Sequence, residues 1–330
     1  MRSQLLCIAA TAAAMRPFAA LPSHSRRRTV PKRAAKGDNA AVAKRGGDAT
    51  DATPSHVWPI AAAAVMGISS SAALARGVAG EAAPVAIACW RVAGAASLNL
   101  ATRRARRGVA ALDRRDAMLA ARSGLLLATH FLLFFSALRR TSVLRSTTLV
   151  GLCPLWVGIA DRIRGREVPD AFWLCCASAV AGTAVLGGDA SGAAATGDAL
   201  AAASGVLWAA YILAGRDARA RVGASTWQAG VCLAATLILT PAALLRGDAL
   251  WGFSQRTTLL LAGFVLGPQL VGHQGLAYIV KYLPARQVAA LTLLEPVGAT
   301  ALAALFFGEI PTRVACFGAA LVAAGVFVAL

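Results

Sequence analysis

From Trp58 onward the chain is a succession of apolar runs separated by short polar gaps. Ten runs can be delimited, at 58–75, 83–102, 118–138, 145–162, 171–188, 199–215, 224–245, 257–280, 287–308 and 313–330. A hydrocarbon core about 30 Å thick is crossed by about 20 helical residues rising about 1.5 Å each. Each run therefore predicts one transmembrane helix, although the fifth, sixth and tenth are short for the task. The expectation is an all-α integral membrane protein with ten transmembrane helices and the lipid bilayer as its first partner.

Two of these runs echo each other. Residues 145–169 and 287–311 each hold an apolar span interrupted by one proline and closed by Glu-x-Pro. A shift of 142 positions places Pro154 on Pro296, Glu167 on Glu309 and Pro169 on Pro311. Such self-similarity is settled first because it decides the architecture. It divides the chain into a first repeat over 56–190 and a second over 191–330, five spans each. Five is odd, so the second copy must enter the membrane in the opposite sense. Two inverted five-helix repeats point to alternating access with a site near the midplane between them.

Composition agrees with the pattern: 58% of residues are hydrophobic, 15% are charged and the mean hydropathy is +0.62. The formal charge of +18 would suggest nucleic acid in a soluble protein. Here the basic residues fall in the N-terminal tail and in gaps between apolar runs, without interleaved aromatics, so no nucleic-acid partner is expected. The gaps 103–117, 163–170, 216–223 and 281–286 hold thirteen basic residues, among them Arg103, Arg104, Arg106, Arg107, Arg216 and Lys281. The alternate gaps hold chiefly Arg76, Arg139, Arg140, Arg246 and Arg256. That asymmetry predicts both ends of the membrane domain on one positively charged side. The seven cysteines form no C-x-x-C, and all but Cys7 lie within apolar runs, so they read as small apolar fillers.

Residues 1–55 differ in kind. A short apolar run, LLCIAATAAA, leads to Phe18 and then to a basic, Ser-containing segment without an acid before Asp38. The first part is too short to span as a mature helix, and the second has the acid-poor character of a transit peptide. In tandem they resemble the bipartite presequences of algae with complex plastids. A disordered basic tail, or a simple mitochondrial or plastid transit peptide, fits the same residues. The membrane of residence is accordingly that of a plastid or other organelle, or else the plasma membrane or an endomembrane.

Several local motifs carry a family likeness. They are Trp90-Arg91 after Pro84, Ala137–Ser142 leading to Pro154 and Glu167, Gly197-Asp198 with Trp208–Tyr211, Leu294–Val297, and Gly308-Glu309. On these the chain resembles the drug/metabolite transporter superfamily, of the EamA-like kind with two five-helix repeats. The likeness covers about residues 58–330 and is better in the second half. In the first half the family's Gly-Glu is replaced by Arg166-Glu167, with Gly165 displaced by one. The resemblance implies carriage of small metabolites, a class that includes amino acids, sugar phosphates, nucleotide sugars and drugs.

Ionisable groups at membrane depth are costly and are functional candidates. Arg91 and Glu295 each lie about eight residues into a span, entering from opposite faces, hence at about 12 Å depth near the midplane. Arg91 would offer charge to an anionic or zwitterionic metabolite, and Glu295 would be a proton-sensitive gate or a substrate contact; bonding within the bundle would occupy either equally well. His130 and His273 sit at near-equivalent places in the third and eighth spans and form a candidate cavity-lining pair. Gln269, Gln274 and Tyr278 make the eighth span the most polar-faced, with Gln274 and Tyr278 on one face at i, i+4. Trp208 and Tyr211 are candidate cavity walls, whereas Trp58 and Trp251 read as interfacial anchors. Pro154 and Pro296 each remove a backbone hydrogen bond and mark a hinge or a static kink. Glycines in the fifth and tenth spans, including Gly182 and Gly325, fit close helix approach within the bundle or between two copies.

Four histidines without ligand spacing give no metal site, and no cofactor is implied. No G-x-x-x-x-G-K-[ST] loop is present for ATP, and the short basic loops lack paired carboxylates or a nucleophile with its base. The chain thus reads as a secondary carrier and not an enzyme, with a membrane enzyme or a non-transporting scaffold as the alternative.

Overall fold

A computed structural model of the chain describes residues 53–141, 143–186, 192–307 and 313–330. Among them there are helices, turns and no strands. In order these are α1 (Val57–Val78), α2 (Pro84–Ala101), the short α3 (Arg103–Ala110) and α4 (Arg114–Leu138). They continue with α5 (Val143–Gly151), α6 (Cys153–Ile163), α7 (Asp170–Leu186), α8 (Gly192–Arg219) and α9 (Ala224–Leu245). Then α10 (Gln255–Phe264) runs through a π-helical segment, Val265–His273, into α11 (Gln274–Ile279). Last come α12 (Ala285–Thr292), α13 (Glu295–Phe307) and α14 (Arg313–Ala329).

Every predicted run is helical, but they are not ten uniform spans. Seven helical stretches among the described residues are long and apolar enough to cross a membrane: Val57–Val78, Pro84–Ala101, Arg114–Leu138, Ala195–Arg219, Ala224–Leu245, Gln255–Ile279 and Ala285–Phe306. The fifth and tenth runs are helices of 17 residues each. The fourth is broken between α5 and α6 at Leu152, with Pro154 in the first turn of α6. The ninth is interrupted likewise between Thr292 and Glu295, with Pro296 following. Proline lacks the N–H that would continue the preceding turn, yet it is well tolerated at a helix start. Both prolines therefore open a new helix segment instead of kinking one.

The surface is that of a multi-pass membrane protein. Leu245, Phe327, Ile163, Leu305 and Phe306 are each 70–89% exposed, an arrangement that suits hydrocarbon and not water. Trp251 is exposed beyond α9, as an interfacial anchor would be. Lipid gives helices no hydrophobic reason to associate, so close contact relies on small residues. A Cβ on Gly67 of α1 would meet the Gly272 nitrogen at 2.7 Å and the Gly267 oxygen at 2.9 Å, so α1 and the π segment touch backbone to backbone.

The main helix pairs are α4 with α8, α2 with α9, α7 with α14, α4 with α9, α1 with the π segment, α1 with α13 and α5 with α8. Contacts at the helix ends sort these ends into two faces. On one, Tyr278 Oη bonds His56 Nε2 at 3.2 Å, Gln287 donates to the Leu330 carbonyl at 2.9 Å, and Arg219 donates to the Ala277 carbonyl at 2.7 Å. Arg216 pairs with Asp161 at 2.8 Å and Arg221 with Asp116 on this side. On the other face Ser254 donates from its nitrogen and hydroxyl to Glu81, and Trp90 donates to the Leu250 carbonyl. Asp198 there accepts from Thr141 at 2.8 Å and pairs with Arg145. We call the first the terminal face and the second the gap face.

Two sequence details find their place here. Gly165 adopts φ +70° directly after α6, and a left-handed residue ends a helix without strain only if it is glycine. The displaced glycine of the first half thus serves the turn. Glu167 is exposed, whereas Gly308, Glu309 and Pro311, like the N-terminal presequence candidate, lie outside the described residues.

Candidate functional site

A small pocket opens between the helices, lined by Ile68, Ser71, Arg91, His130, Phe131, Phe134, Val150, Trp208, His273 and Glu295. Residues from both halves of the chain converge on it. Arg91, projecting from the first two turns of α2, is only 1% exposed. Its Nε donates to Gln269 Oε1 at 2.8 Å, and its two terminal nitrogens donate to Ser71 Oγ at 3.0 Å and the Pro268 carbonyl at 3.2 Å. The guanidinium carbon lies 4.1 Å from the centroid of the Phe131 ring. A guanidinium has five N–H donors, so these bonds fix the group while leaving capacity for a ligand.

The Pro268 carbonyl is available because the π segment widens the helix there. Turns closed by i→i+5 bonds are rare and concentrate at functional sites. Pro268 has no N–H to give to the turn before it, and the segment presents both Pro268 and Gln269 to Arg91.

Glu295 enters from the start of α13 and shares the cavity with Arg91, without an ion pair between them. A guanidinium and a carboxyl that border one small pocket can meet the two ends of a zwitterion. Two histidines complete the lining, with ring centroids 6.3 Å apart. His130 Nδ1 lies 3.0 Å from the Ser204 carbonyl and 2.8 Å from its hydroxyl, and that hydroxyl donates to the His130 carbonyl at 3.0 Å. This network assigns the proton to Nδ1 and leaves Nε2 an acceptor. His273 Nδ1 is buried with no hydrogen-bond partner among the described residues. It is available to a solute.

Trp208 stands at the inner end, its ring centroid 5.4 Å from His130, 4.5 Å from His273 and 5.1 Å from Tyr211. Tyr211 Oη accepts from Gln228 Nε2 at 3.0 Å, and the same nitrogen reaches the His273 carbonyl at 3.0 Å. A donor chain runs from the cation to this phenol. Arg91 donates to Gln269, Gln269 to Cys232 Sγ (3.5 Å), Cys232 to Gln228 Oε1 (3.7 Å) and Gln228 to Tyr211.

Of the residues singled out from the sequence, Arg91, His130, Trp208, His273 and Glu295 line this cavity, and Gln269 holds Arg91 from behind. Tyr211 backs Trp208. Gln274 points elsewhere and accepts from Asn99 at 3.0 Å, while Tyr278 belongs to an exposed cluster with His56 and Tyr282. Pro154 and Pro296 sit at the two helix breaks. Ser71, Phe131, Ser204, Gln228 and Cys232 were not anticipated. The run Ser69–Ser71, the most polar point of the first span, was the available signal for Ser71. The cysteines at 89, 153, 175, 176 and 232 are free and buried.

Fold and cavity together define a multi-pass helical membrane protein with a charged, aromatic-walled interior chamber. Comparison with known proteins narrows this. Residues 195–330 match the model of the EamA-like transporter family. Over 129 residues the chain is 36% identical to the threonine/homoserine exporter RhtA of Salmonella typhimurium (strain LT2) and of Escherichia coli (strain K12). That alignment covers 39% of this chain and 43% of each exporter, so less than half the length of these relatives is matched. A solved structure titled "Crystal structure of protein" covers 83% of this chain and 96% of its own at TM-score 0.70 and 23% identity, a likeness of fold. The likeness to the EamA-like transporter family is thus carried by the second half of the chain, and it falls within the superfamily that the sequence motifs resemble.

Proposed function

We propose that the chain is a secondary transporter that moves a small metabolite across a membrane by alternating access. The observation that carries this is the cavity where Arg91 of the first half and Glu295 of the second face one void without pairing. A zwitterion such as an amino acid would bring its carboxylate to Arg91 and its ammonium to Glu295, with Trp208 and Phe134 as apolar walls. The threonine/homoserine exporters matched by part of the chain favour the same solute class.

The reading also holds that ten helical segments form two inverted five-helix repeats. Numbering the segments one to ten, exchange of each with the one five places on maps the packed pair one–eight onto six–three, and one–nine onto six–four. Pairs two–seven and five–ten map onto themselves. An odd-membered repeat in opposite senses gives this exchange. The helix-end contacts support it as well, with His56 and Leu330 on the terminal face and Asp198, early in the second half, on the gap face. Pro154 and Pro296 then occupy equivalent helix breaks and are the hinges of the proposed motion.

The full chain in liposomes, loaded with one unlabelled amino acid and offered the same labelled one, tests the proposal by counterflow. Accumulation above equilibrium is expected for at least one small zwitterion. A chain that accumulates none from a chemically diverse panel of amino acids, organic anions and sugars would contradict it.

A further inference from the structure

A second, smaller pocket is also bordered by Trp208, and Tyr211, Gly215, Trp227, Val280 and Val288 are among its walls. These residues come from the end of α8, the beginnings of α9 and α12, and the turn after α11. The helix-end contacts place those parts at the terminal face. Arg91 and Phe134, which line the first pocket, come from the gap-face halves of their helices. The two voids are thus stacked along the bundle, and Trp208 lines both.

We infer that the second cavity is the terminal-face vestibule of the solute path, and that Trp208, braced by Tyr211, is the partition that sets the size of solute able to cross. The inference rests on the transporter reading above. The Trp208 and Tyr211 rings stack at 16°, and Trp208 borders both pockets while Tyr211 borders the second alone.

The vestibule also carries a polar mark. Trp227 is 1% exposed, and its indole nitrogen, close to the Tyr211 hydroxyl, makes no hydrogen bond of full geometry among the described residues. A buried donor left unmade is costly. An acceptor oxygen on a passing solute, a carboxylate or carbonyl, would satisfy it. The class of solute is then a small molecule with such an oxygen at one end, bonding in turn to Arg91 and to Trp227.

The brace is connected to the charge that would bind the solute. In the chain Arg91–Gln269–Cys232–Gln228–Tyr211 every donor points the same way, so each bond polarises the next. A carboxylate that draws Arg91 off Gln269 weakens the hold of Gln228 on Tyr211, and the partition loosens when the central cavity is filled. Gln228 is therefore a positioning residue for the partition.

Thiol accessibility in reconstituted full-length protein tests this. Ile68→Cys reports on the central cavity and Val280→Cys on the vestibule, with protein lacking either reporter giving the background. A membrane-impermeant maleimide is applied from the terminal face. Val280→Cys should react at one rate whatever occupies position 208. Ile68→Cys should react about tenfold faster in Trp208→Ala than with Trp208 intact, with Trp208→Leu and Trp208→Phe ranked between by ring size. Gln228→Leu should accelerate it too. An Ile68→Cys rate indifferent to residue 208, or a Val280→Cys thiol unreachable from this face, would overturn the inference. If Trp208→Ala does not fold, the Leu and Phe variants supply the ranking. Labelling needs no net transport, so the two readings separate. Solute counterflow with a flat labelling series removes the partition alone, and a graded series in protein that moves no solute removes the carrier alone.

Discussion

Replacement of Arg91 by leucine tests the chemistry of the cavity most sharply. The substitution deletes three hydrogen bonds, to Gln269, Ser71 and the Pro268 carbonyl, and the contact with the Phe131 ring. Hydrogen bonds between membrane helices are worth about 0.6 kcal/mol on average, and a desolvated cation–π contact adds about 1–2 kcal/mol. Arg91→Leu should therefore destabilise the fold by about 2–4 kcal/mol, read as a lowered Tm in detergent. Solute affinity should fall further than stability explains. A charge-assisted bond to a carboxylate is worth about 1.5–3 kcal/mol, hence about a 10–100-fold loss in binding. Gln269→Leu is the control, since it removes the Nε partner and leaves the cation; it should lower Tm modestly and leave most of the affinity. Arg91→Lys keeps charge without the planar fork and should fall between. Solute protection against thermal unfolding and counterflow in liposomes measure both quantities. If Arg91→Leu binds and moves the same solute as the unaltered protein, the reasoning about the cavity is wrong.

Three other outcomes follow from the structure. Glu295→Gln should flatten the dependence of transport on pH, because it removes a titrating carboxyl from the cavity lining; a pH profile identical to that of the unaltered protein would refute a proton role. Gly67→Ala brings a methyl to 2.7 Å from a backbone nitrogen of the π segment and should cost about 1–3 kcal/mol, whereas Gly80→Ala, with open space around it, should leave Tm unchanged. At the gap face the hydroxyl and backbone N–H of Ser254 hold the Glu81 carboxyl below its usual pKa. A depressed carboxylate stabilises above its unfolded pKa, and that contribution is lost as pH falls through the folded value. Protection factors around residues 250–257, which correct for the intrinsic slowing of exchange in acid, should therefore fall on acidification below the ordinary carboxylate range, and in Glu81→Gln they should be low at every pH.

Much of the architecture is legible in the apolar pattern. Each of the ten runs is helical, and depth arithmetic alone brings Arg91 and Glu295 to one level, where they share a cavity. The His130–His273 pair emerges from the repeat in the same way. What the pattern misses arises from local geometry it assumes to be regular. Gln274 and Tyr278 share a face under a 3.6-residue period, but the π segment immediately before them changes the helical phase, and their partners are Asn99 and His56. Seven stretches of full membrane length are found among the described residues, the fourth and ninth runs are each interrupted ahead of a proline, and the fifth and tenth helices border residues outside the described ones. Gln228 and Cys232 gave no signal at all. Their role exists only through partners on other helices, at separations along the chain that periodicity does not register.

The arrangement of the two halves decides the rest, and topology mapping tests it directly. One reporter after Leu330 and another inserted near position 190, between the halves, can be scored for the side of the membrane on which each reacts. The account predicts opposite sides, because five crossings separate them. Reaction of both from the same side would remove the inverted repeat, and with it the exchange of access that the proposed transport requires.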